Sequence, residues 1–105
     1  MANTFKLKTD TNVTGAATIY TVGGSTTTVI LGLILGNTTT SQVTATVTLE
    51  NNDGDNVALV TNAPIPAGSS LEMLAGNIVV METSDVLKVA ASGATDVALS
   101  NMEIT

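Results

Sequence analysis

Two neighbouring stretches with different hydrophobic patterns dominate the first half of the chain. The run from Val29 to Gly36 is the most apolar, and the run from Val43 to Glu50 alternates between apolar side chains and mostly threonine. A short run that is apolar on both sides is typical of a buried strand, and period-two alternation is typical of a half-buried strand. The pattern therefore predicts a buried strand followed by a half-buried one.

Further short runs of apolar or alternating residues predict additional strands. They lie at residues 5–8, 17–22, 57–61, 71–74, 78–81, 86–90 and 97–104. Threonine and valine are abundant and lysine and glutamate are sparse, which suits a pleated surface. The sequence predicts an all-β fold: a two-sheet antiparallel β-sandwich, jelly-roll-like, with about eight short strands.

Turn residues separate these runs. Gly23-Gly24 predicts a hairpin between its flanking strands, and Asp53-Gly54 predicts another. The polar stretch at residues 51–56 also carries oxygen ligands that suit calcium, but it lacks the spacing of a calcium-binding loop, so a turn is the favoured interpretation. Pro64 and Pro66 exclude a central strand and predict the place where the chain passes from one sheet to the other.

The chain length of 105 residues predicts one domain, residues 1–105, in which residues 1–15 are a candidate N-terminal arm and linker. A domain of this size buries only about two-thirds of its unfolded surface, so a partner subunit would add useful stability.

The run from Val29 is apolar on both sides, although a sandwich strand needs only one apolar side. Strict alternation places Val29, Leu31, Leu33 and Leu35 on one side and Ile30, Gly32, Ile34 and Gly36 on the other. A loop of the same chain would cover the second side, or a second subunit would. We favour a subunit interface at Ile30, Gly32, Ile34 and Gly36, because the chain has little covering material and glycine allows close backbone approach.

Near the N-terminus, Phe5-Lys6-Leu7-Lys8 alternates and places both lysines on one side. One interpretation is an edge strand whose lysines discourage unwanted pairing. The other is an arm that reaches an acidic neighbouring protein through Phe5, Lys6 and Lys8.

The C-terminal run changes phase between Val97 and Leu99 on one side and Met102 and Ile104 on the other. One extra residue near Ser100 or Asn101, a β-bulge, would bring all four to the core.

The composition supplies little for catalysis. Histidine and cysteine are absent, which removes the usual general base, the usual nucleophile pairs and nearly all zinc sites. Glu72, Glu82 and Asp85 are the candidate carboxylates for glycoside hydrolysis, but each is expected to be solvated. A sugar-binding site usually offers aromatic side chains, and only Phe5 and Tyr20 are present. We expect neither enzymatic activity nor a cofactor.

Charge and hydropathy bear on partners and location. Three basic residues against nine acidic ones give a formal charge of −6, which does not favour nucleic acid as a partner. The apolar run is far shorter than a membrane-spanning helix needs, and residues 1–6 lack the apolar core of a signal peptide. We therefore expect no membrane partner and synthesis in a cytoplasm.

The order of short phrases along residues 18–104 resembles small virion structural proteins of tailed bacteriophages, especially cyanophages. The phrases are residues 18–22 before a glycine turn, Asn37 before the threonine-rich turn, residues 63–72, residues 85–89 and residues 97–100. Gly23 and Ser84 depart from the family pattern, which often has proline and glycine at these places.

The resemblance implies a non-enzymatic particle protein, most like a capsid decoration (cement) protein. Such a protein would bind the major capsid protein on the outside of a phage head as a homo-oligomer such as a trimer. A tail or tail-fibre structural or receptor-binding component is the alternative that the same resemblance allows.

Overall fold

The computed structural model describes residues 2–73 and 78–105, and every regular element in them is a β-strand. Seven strands follow one another along the chain: β1 (Asn3–Thr21), β2 (Thr27–Asn37), β3 (Val43–Glu50), β4 (Asn56–Ile65), β5 (Ser70–Met73), β6 (Val79–Met81) and β7 (Val86–Ile104). All of the pairings between them are antiparallel.

The C-terminal strand β7 is the centre of the sheet. One of its edges pairs with β1 along almost the whole length of both strands. Its other edge pairs with β3 over residues 86–91 and with β2 over residues 95–104. β4 lies beside β3, and β5 and β6 lie beside β2.

The sheet bends halfway along β1 and β7, which divides it into two layers. In β1 the pairing is irregular between Asp10 and Gly15, where Asn12 and Gly15 have φ angles of 54° and 62°. In β7, Gly93 lies so close to Val43 that an added Cβ would be 2.7 Å from its Cγ1. Bulges and glycines of this kind turn strands through corners.

The first layer contains β4, β3, residues 86–91 of β7 and residues 15–21 of β1. The second layer contains residues 3–10 of β1, residues 95–104 of β7, β2, β5 and β6. Side chains from both layers form one hydrophobic core, which includes Val47, Leu87 and Val89 from the first and Leu33, Leu35 and Leu99 from the second. The predicted all-β, jelly-roll-like sandwich is confirmed.

Polar contacts join the two layers at both ends. At the end far from the bend, the Tyr20 hydroxyl lies 2.7 Å from Thr28 Oγ1 and donates to Glu103 Oε2 at 2.6 Å. At the bend, the buried Asn37 Nδ2 donates to the carbonyls of Ser41 and Ile65 at 2.8 and 2.9 Å. These bonds fix the positions of the segments that cross between the layers.

Two turn predictions are confirmed and one is wrong. The chain crosses from β4 in the first layer to β5 in the second after Ile65, as the two prolines predict. Asp53-Gly54 forms the β3–β4 hairpin turn, in which the backbone N–H of Asn51 donates to the backbone carbonyl of Asp55 at 2.8 Å. Gly23-Gly24 does not form a hairpin, because β1 pairs with β7; it connects the two layers.

The predicted eight short strands become seven in the described residues, and two of them have 19 residues each. The runs at residues 86–90 and 97–104 belong to one strand, as do the runs at 5–8 and 17–22. The polar residues between these runs lie at the bend. In the sequence they resemble a loop, so each long strand was predicted as two short ones.

The predicted bulge near Ser100 or Asn101 is wrong for β7 and lies in the facing strand. Ile30 pairs with Asn101 and Gly32 pairs with Ser100, so Leu31 of β2 is the extra residue. β7 therefore keeps its alternation, which places Asn101 in the interior and Met102 on the outside. The side-chain amide of Asn101 is buried and has no hydrogen-bond partner among residues 2–73 and 78–105, an arrangement that costs stability.

Candidate functional site

Exposed apolar side chains are concentrated in the second layer. Of the described residues, seven large hydrophobic ones are exposed: Phe5, Leu7, Leu31, Ile34, Val57, Ile78 and Val80. Five of these lie in second-layer strands and Ile78 directly precedes β6. Among those of the seven that lie in strands, Phe5 and Leu7 are the most exposed, at 73% and 66%. A contiguous exposed apolar patch is typical of a protein interface.

Strand pairing shows that these side chains share one side of the sheet. Paired residues project to the same side, and Phe5, Met102, Val29 and Val80 are successive partners across four strands. The neighbouring rows contain Leu7, Ser100 and Gly32, and then Thr9, Ala98, Ile34 and Glu72. We call this outward side of the second layer the apolar face. Its apolar members and glycines are Phe5, Leu7, Val29, Leu31, Gly32, Ile34, Gly36, Val80, Ala98 and Met102, and the polar side chains Thr9, Glu72 and Ser100 lie on the same side.

The outward side of the first layer differs. We call it the polar face; its members include Ala16, Thr18, Thr44, Thr46, Thr48, Glu50, Lys88 and Ala90 and the half-buried Val86. Lys88 Nζ lies 2.8 Å from Glu50 Oε2 on this side. None of the seven exposed hydrophobic side chains belongs to the polar face, so the two sides of the sandwich meet their surroundings with different chemistry.

The structure places three of the four predicted interface residues on the apolar face. Gly32, Ile34 and Gly36 lie there, and Ile34 is 45% exposed. Ile30 does not: it is 1% exposed and belongs to the core. The bulge at Leu31 is the reason, because one extra residue reverses the alternation on its N-terminal side. In place of Ile30 the apolar face contains Val29 and Leu31.

Gly32 and Gly36 lie on the apolar face on either side of Ile34. Among the described residues, a Cβ added at Gly32 would meet nothing within 4 Å, and one at Gly36 would meet only the Asp96 carbonyl at 3.9 Å. Neither residue has a left-handed φ angle. Glycine in a strand interior is typical of a bulge, such as the one at Leu31 beside Gly32, or of a place where another backbone approaches closely.

A groove with a volume of about 360 Å³ lies at the end of the apolar face near the bend. Ile34, Gly36 and Ala98 contribute apolar surface to it, and residues of β1 and β7 near the bend, including Thr9, Thr11 and Asp96, complete its border. The Asp96 carboxylate is bound to the chain there, because its Oδ1 accepts a hydrogen bond from the backbone N–H of Asn12 at 3.1 Å. The result is a shallow groove whose lining is almost entirely apolar.

The structure separates the three predicted capsid-contact residues. Phe5 projects from the apolar face, whereas Lys6 and Lys8 are paired with Asn101 and Leu99 and therefore project to the inner side. Lys6 Nζ lies 2.9 Å from Glu103 Oε1. Inward-pointing charges on an edge strand oppose unwanted strand addition, which supports the edge-strand interpretation of the lysines.

Glu103 is the centre of a polar network at the edge of the sandwich. The hydrogen bond from Tyr20, and after it the one from Lys6, lowers the pKa of Glu103 below its ordinary value of 4.5. Burial, and next the bond to Glu103, raises the pKa of Tyr20 above 10.0. The ionised carboxylate thus joins residues of both layers.

The loops far from the bend border a polar cavity of about 240 Å³, which includes Asn51, Asp53, Glu82 and Asp85. The Asp85 carboxylate accepts hydrogen bonds from the backbone N–H groups of Asn52 and Glu82 at 2.8 and 2.9 Å, so it holds these two turns together. Within residues 2–73 and 78–105 there is no group of three acidic side chains placed to hold a metal ion. The same residues include no helix with the length and apolarity needed to cross a membrane.

Comparison with known proteins shows a shared fold. No protein-family model matches the chain, and no curated protein matches its sequence. A solved chain from Bacillus endospore appendages, described as disulfide-linked pili, is 18% identical with a TM-score of 0.57, over 99% of this chain and 87% of that one. A chain from the Gx strain of infectious bursal disease virus is 16% identical with a TM-score of 0.49, over 96% of this chain and 31% of that one. The fold is thus the one seen in the pilus chain.

Proposed function

We propose that this chain is a non-enzymatic structural protein of a virion, and specifically a decoration (cement) protein. It would act as a closed homo-oligomer such as a trimer that binds the major capsid protein on the outer surface of a phage head. The observation that carries the proposal is the apolar face, on which five exposed hydrophobic side chains share one side of one layer.

Burial of this face between copies would stabilise both the subunit and the assembly. Contact between apolar surfaces removes them from water, and repeated weak contacts within one particle strengthen one another through effective concentration. The fold supports the same role, because the pilus chain that shares it also comes from an assembled appendage. The rigid sandwich and polar face suit the outside of a particle.

A tail or tail-fibre component is the second candidate. The same module would serve there, because the apolar face does not specify which particle surface lies next to the oligomer. Copy number separates the two candidates, since a head coat requires hundreds of copies and a tail requires a handful.

Quantitative mass spectrometry of purified particles of the phage that encodes the chain tests this proposal. Hundreds of copies per particle support the decoration role, and a handful supports the tail role. Absence from the particle contradicts both. Binding of the purified protein to heads that lack it is the second measurement, and it should raise the temperature at which the heads break open.

A further inference from the structure

We propose that Phe5 and Leu7 of one copy pack into the groove beside Ile34, Gly36 and Ala98 on the apolar face of a second copy. The proposal rests on the self-association proposed above and names the contact that produces it. It assigns Phe5 to a contact between copies, whereas the sequence pattern grouped Phe5 with Lys6 and Lys8 as a contact to a neighbouring protein.

The projecting part of the contact is the N-terminal part of β1. Residues 3–10 form an edge strand, and none of them is buried. Phe5 and Leu7 project from the same side of that strand with 73% and 66% of their surface exposed. An aromatic and an aliphatic side chain held on a paired strand make a rigid apolar projection, which loses little conformational entropy on binding.

The receiving part lies further along the same face. Residues with little or no side chain, Gly36 and Ala98, lie beside Ile34 and leave a groove of about 360 Å³. Among the described residues, a Cβ added at Gly36 would meet only the Asp96 carbonyl at 3.9 Å, so packing against them does not require glycine there, and its absence of a side chain leaves the groove open. The volume is at the lower end of the range for ligand pockets and accommodates an aromatic side chain.

The exposed area and the uncharged character of the projection favour a second copy as the occupant. From their exposed fractions, the five exposed hydrophobic side chains of the apolar face present on the order of 500 Å² of apolar surface. A stable interface buries about 800 Å² per partner, which these side chains and the half-buried Val29 and Met102 approach together. Lys6 and Lys8 project to the inner side and leave the projection formed by Phe5 and Leu7 uncharged, so it matches a groove whose lining is almost entirely apolar.

The projection and the groove lie on the same face of one subunit. Two copies related by a two-fold axis would make the contact twice, reciprocally, whereas a closed ring of three copies would make it once at each interface.

Cross-linking between two variants tests the contact, because the natural chain contains no cysteine. Asn3→Cys carrying a size tag is mixed with untagged Thr9→Cys, and a short thiol-reactive cross-linker is added. Asn3 projects to the same side as Phe5 and Thr9 borders the groove, so both Phe5 and the groove lining stay intact. The contact predicts a mixed product that forms at least about tenfold faster than with the control pair Asn3→Cys and Thr48→Cys, because the contact raises the effective concentration of the two thiols. Equal rates for the two pairs overturn the proposal.

A filled groove provides the second test. Gly36→Val leaves the backbone free of clashes within the chain, so we expect a folded protein whose self-association is weakened at least about tenfold. Ala90→Val adds the same kind of bulk to the polar face and should leave association unchanged. An unaltered association constant for Gly36→Val overturns this contact, and the particle copy number then still tests the structural role independently.

Discussion

The two outer sides of this sandwich belong to one continuous sheet, yet they present opposite chemistry. The polar face follows the usual pattern of a half-buried strand, with threonines alternating against the core residues of β3. The apolar face replaces those polar positions with Phe5, Leu7 and Ile34 and with two glycines. The same backbone architecture thus needs only one inner apolar side to fold, and the second apolar side is the one that the proposed association would cover.

The largest expected effect is on association. Ile34→Asp places a charge at the centre of the apolar face, and an unpaired charge in a desolvated contact is strongly unfavourable. We expect soluble monomers by light scattering, because Ile34 is 45% exposed and its replacement leaves the core intact. Thr46→Asp on the polar face is the matched control and should keep the oligomer mass. An unchanged mass for Ile34→Asp would exclude the apolar face as the interface.

The next effect distinguishes Ile30 from Ile34, which the sequence pattern places on the same side. Ile30→Ala removes buried methyl groups and should lower the free energy of unfolding by about 2–5 kcal/mol. Ile34→Ala should lower it by less than about 1 kcal/mol, since that side chain is already in contact with solvent. Urea unfolding at a concentration where the protein is monomeric measures both. Equal losses would show that the Leu31 bulge is misplaced.

A smaller effect concerns the polar network at the edge. Because the pKa of Glu103 is lower in the folded chain than its ordinary value of 4.5, its stabilising contribution is present above that pH and is lost as pH falls through the folded pKa. Glu103→Gln should lower the free energy of unfolding at pH 7 by roughly 1–2 kcal/mol and flatten its acid dependence. The exposed Glu72→Gln serves as control. An identical acid dependence in Glu103→Gln and the natural chain would contradict the network.

The smallest effect concerns glycine. Gly32→Ala should change the free energy of unfolding of the monomer by less than about 1 kcal/mol, in the stabilising direction, because alanine is favoured over glycine in a strand interior. Gly93→Ala should destabilise by about 1–3 kcal/mol, since the new Cβ would meet the stiff Val43 side chain. Thermal unfolding of both variants compares the two glycines. A destabilised Gly32→Ala would mean that the fold itself requires glycine there.

The sequence was informative wherever alternation was strict and less so where it was not. The inward side of β3 is as predicted, with Val43, Ala45 and Val47 buried. In β2 every residue from Val29 to Leu35 except Gly32 is large and apolar, so a one-residue bulge leaves no trace in the pattern. The position of the bulge depends on the pairing of β2 with β7, which the local pattern does not show. Ile30 was therefore assigned to the wrong side.

The local sequence pattern also did not predict that β1 and β7 are continuous long strands. β1 and β7 pass through the bend at polar and glycine-containing stretches that resemble loops in sequence. Their pairing joins residues that are far apart along the chain, so no short window contains the signal. The grouping of Phe5 with Leu7 follows from simple alternation, but the partners on the same face, Met102 and Val29, come from the sheet order.

A density map of the assembled particle tests the central claim most directly. We expect the outward side of the second layer, around Phe5, Ile34 and Gly36, to lie against a neighbouring copy of the chain, while the threonines of β3 remain open to solvent. A map in which the apolar face is bare and the polar face makes the contacts would contradict it.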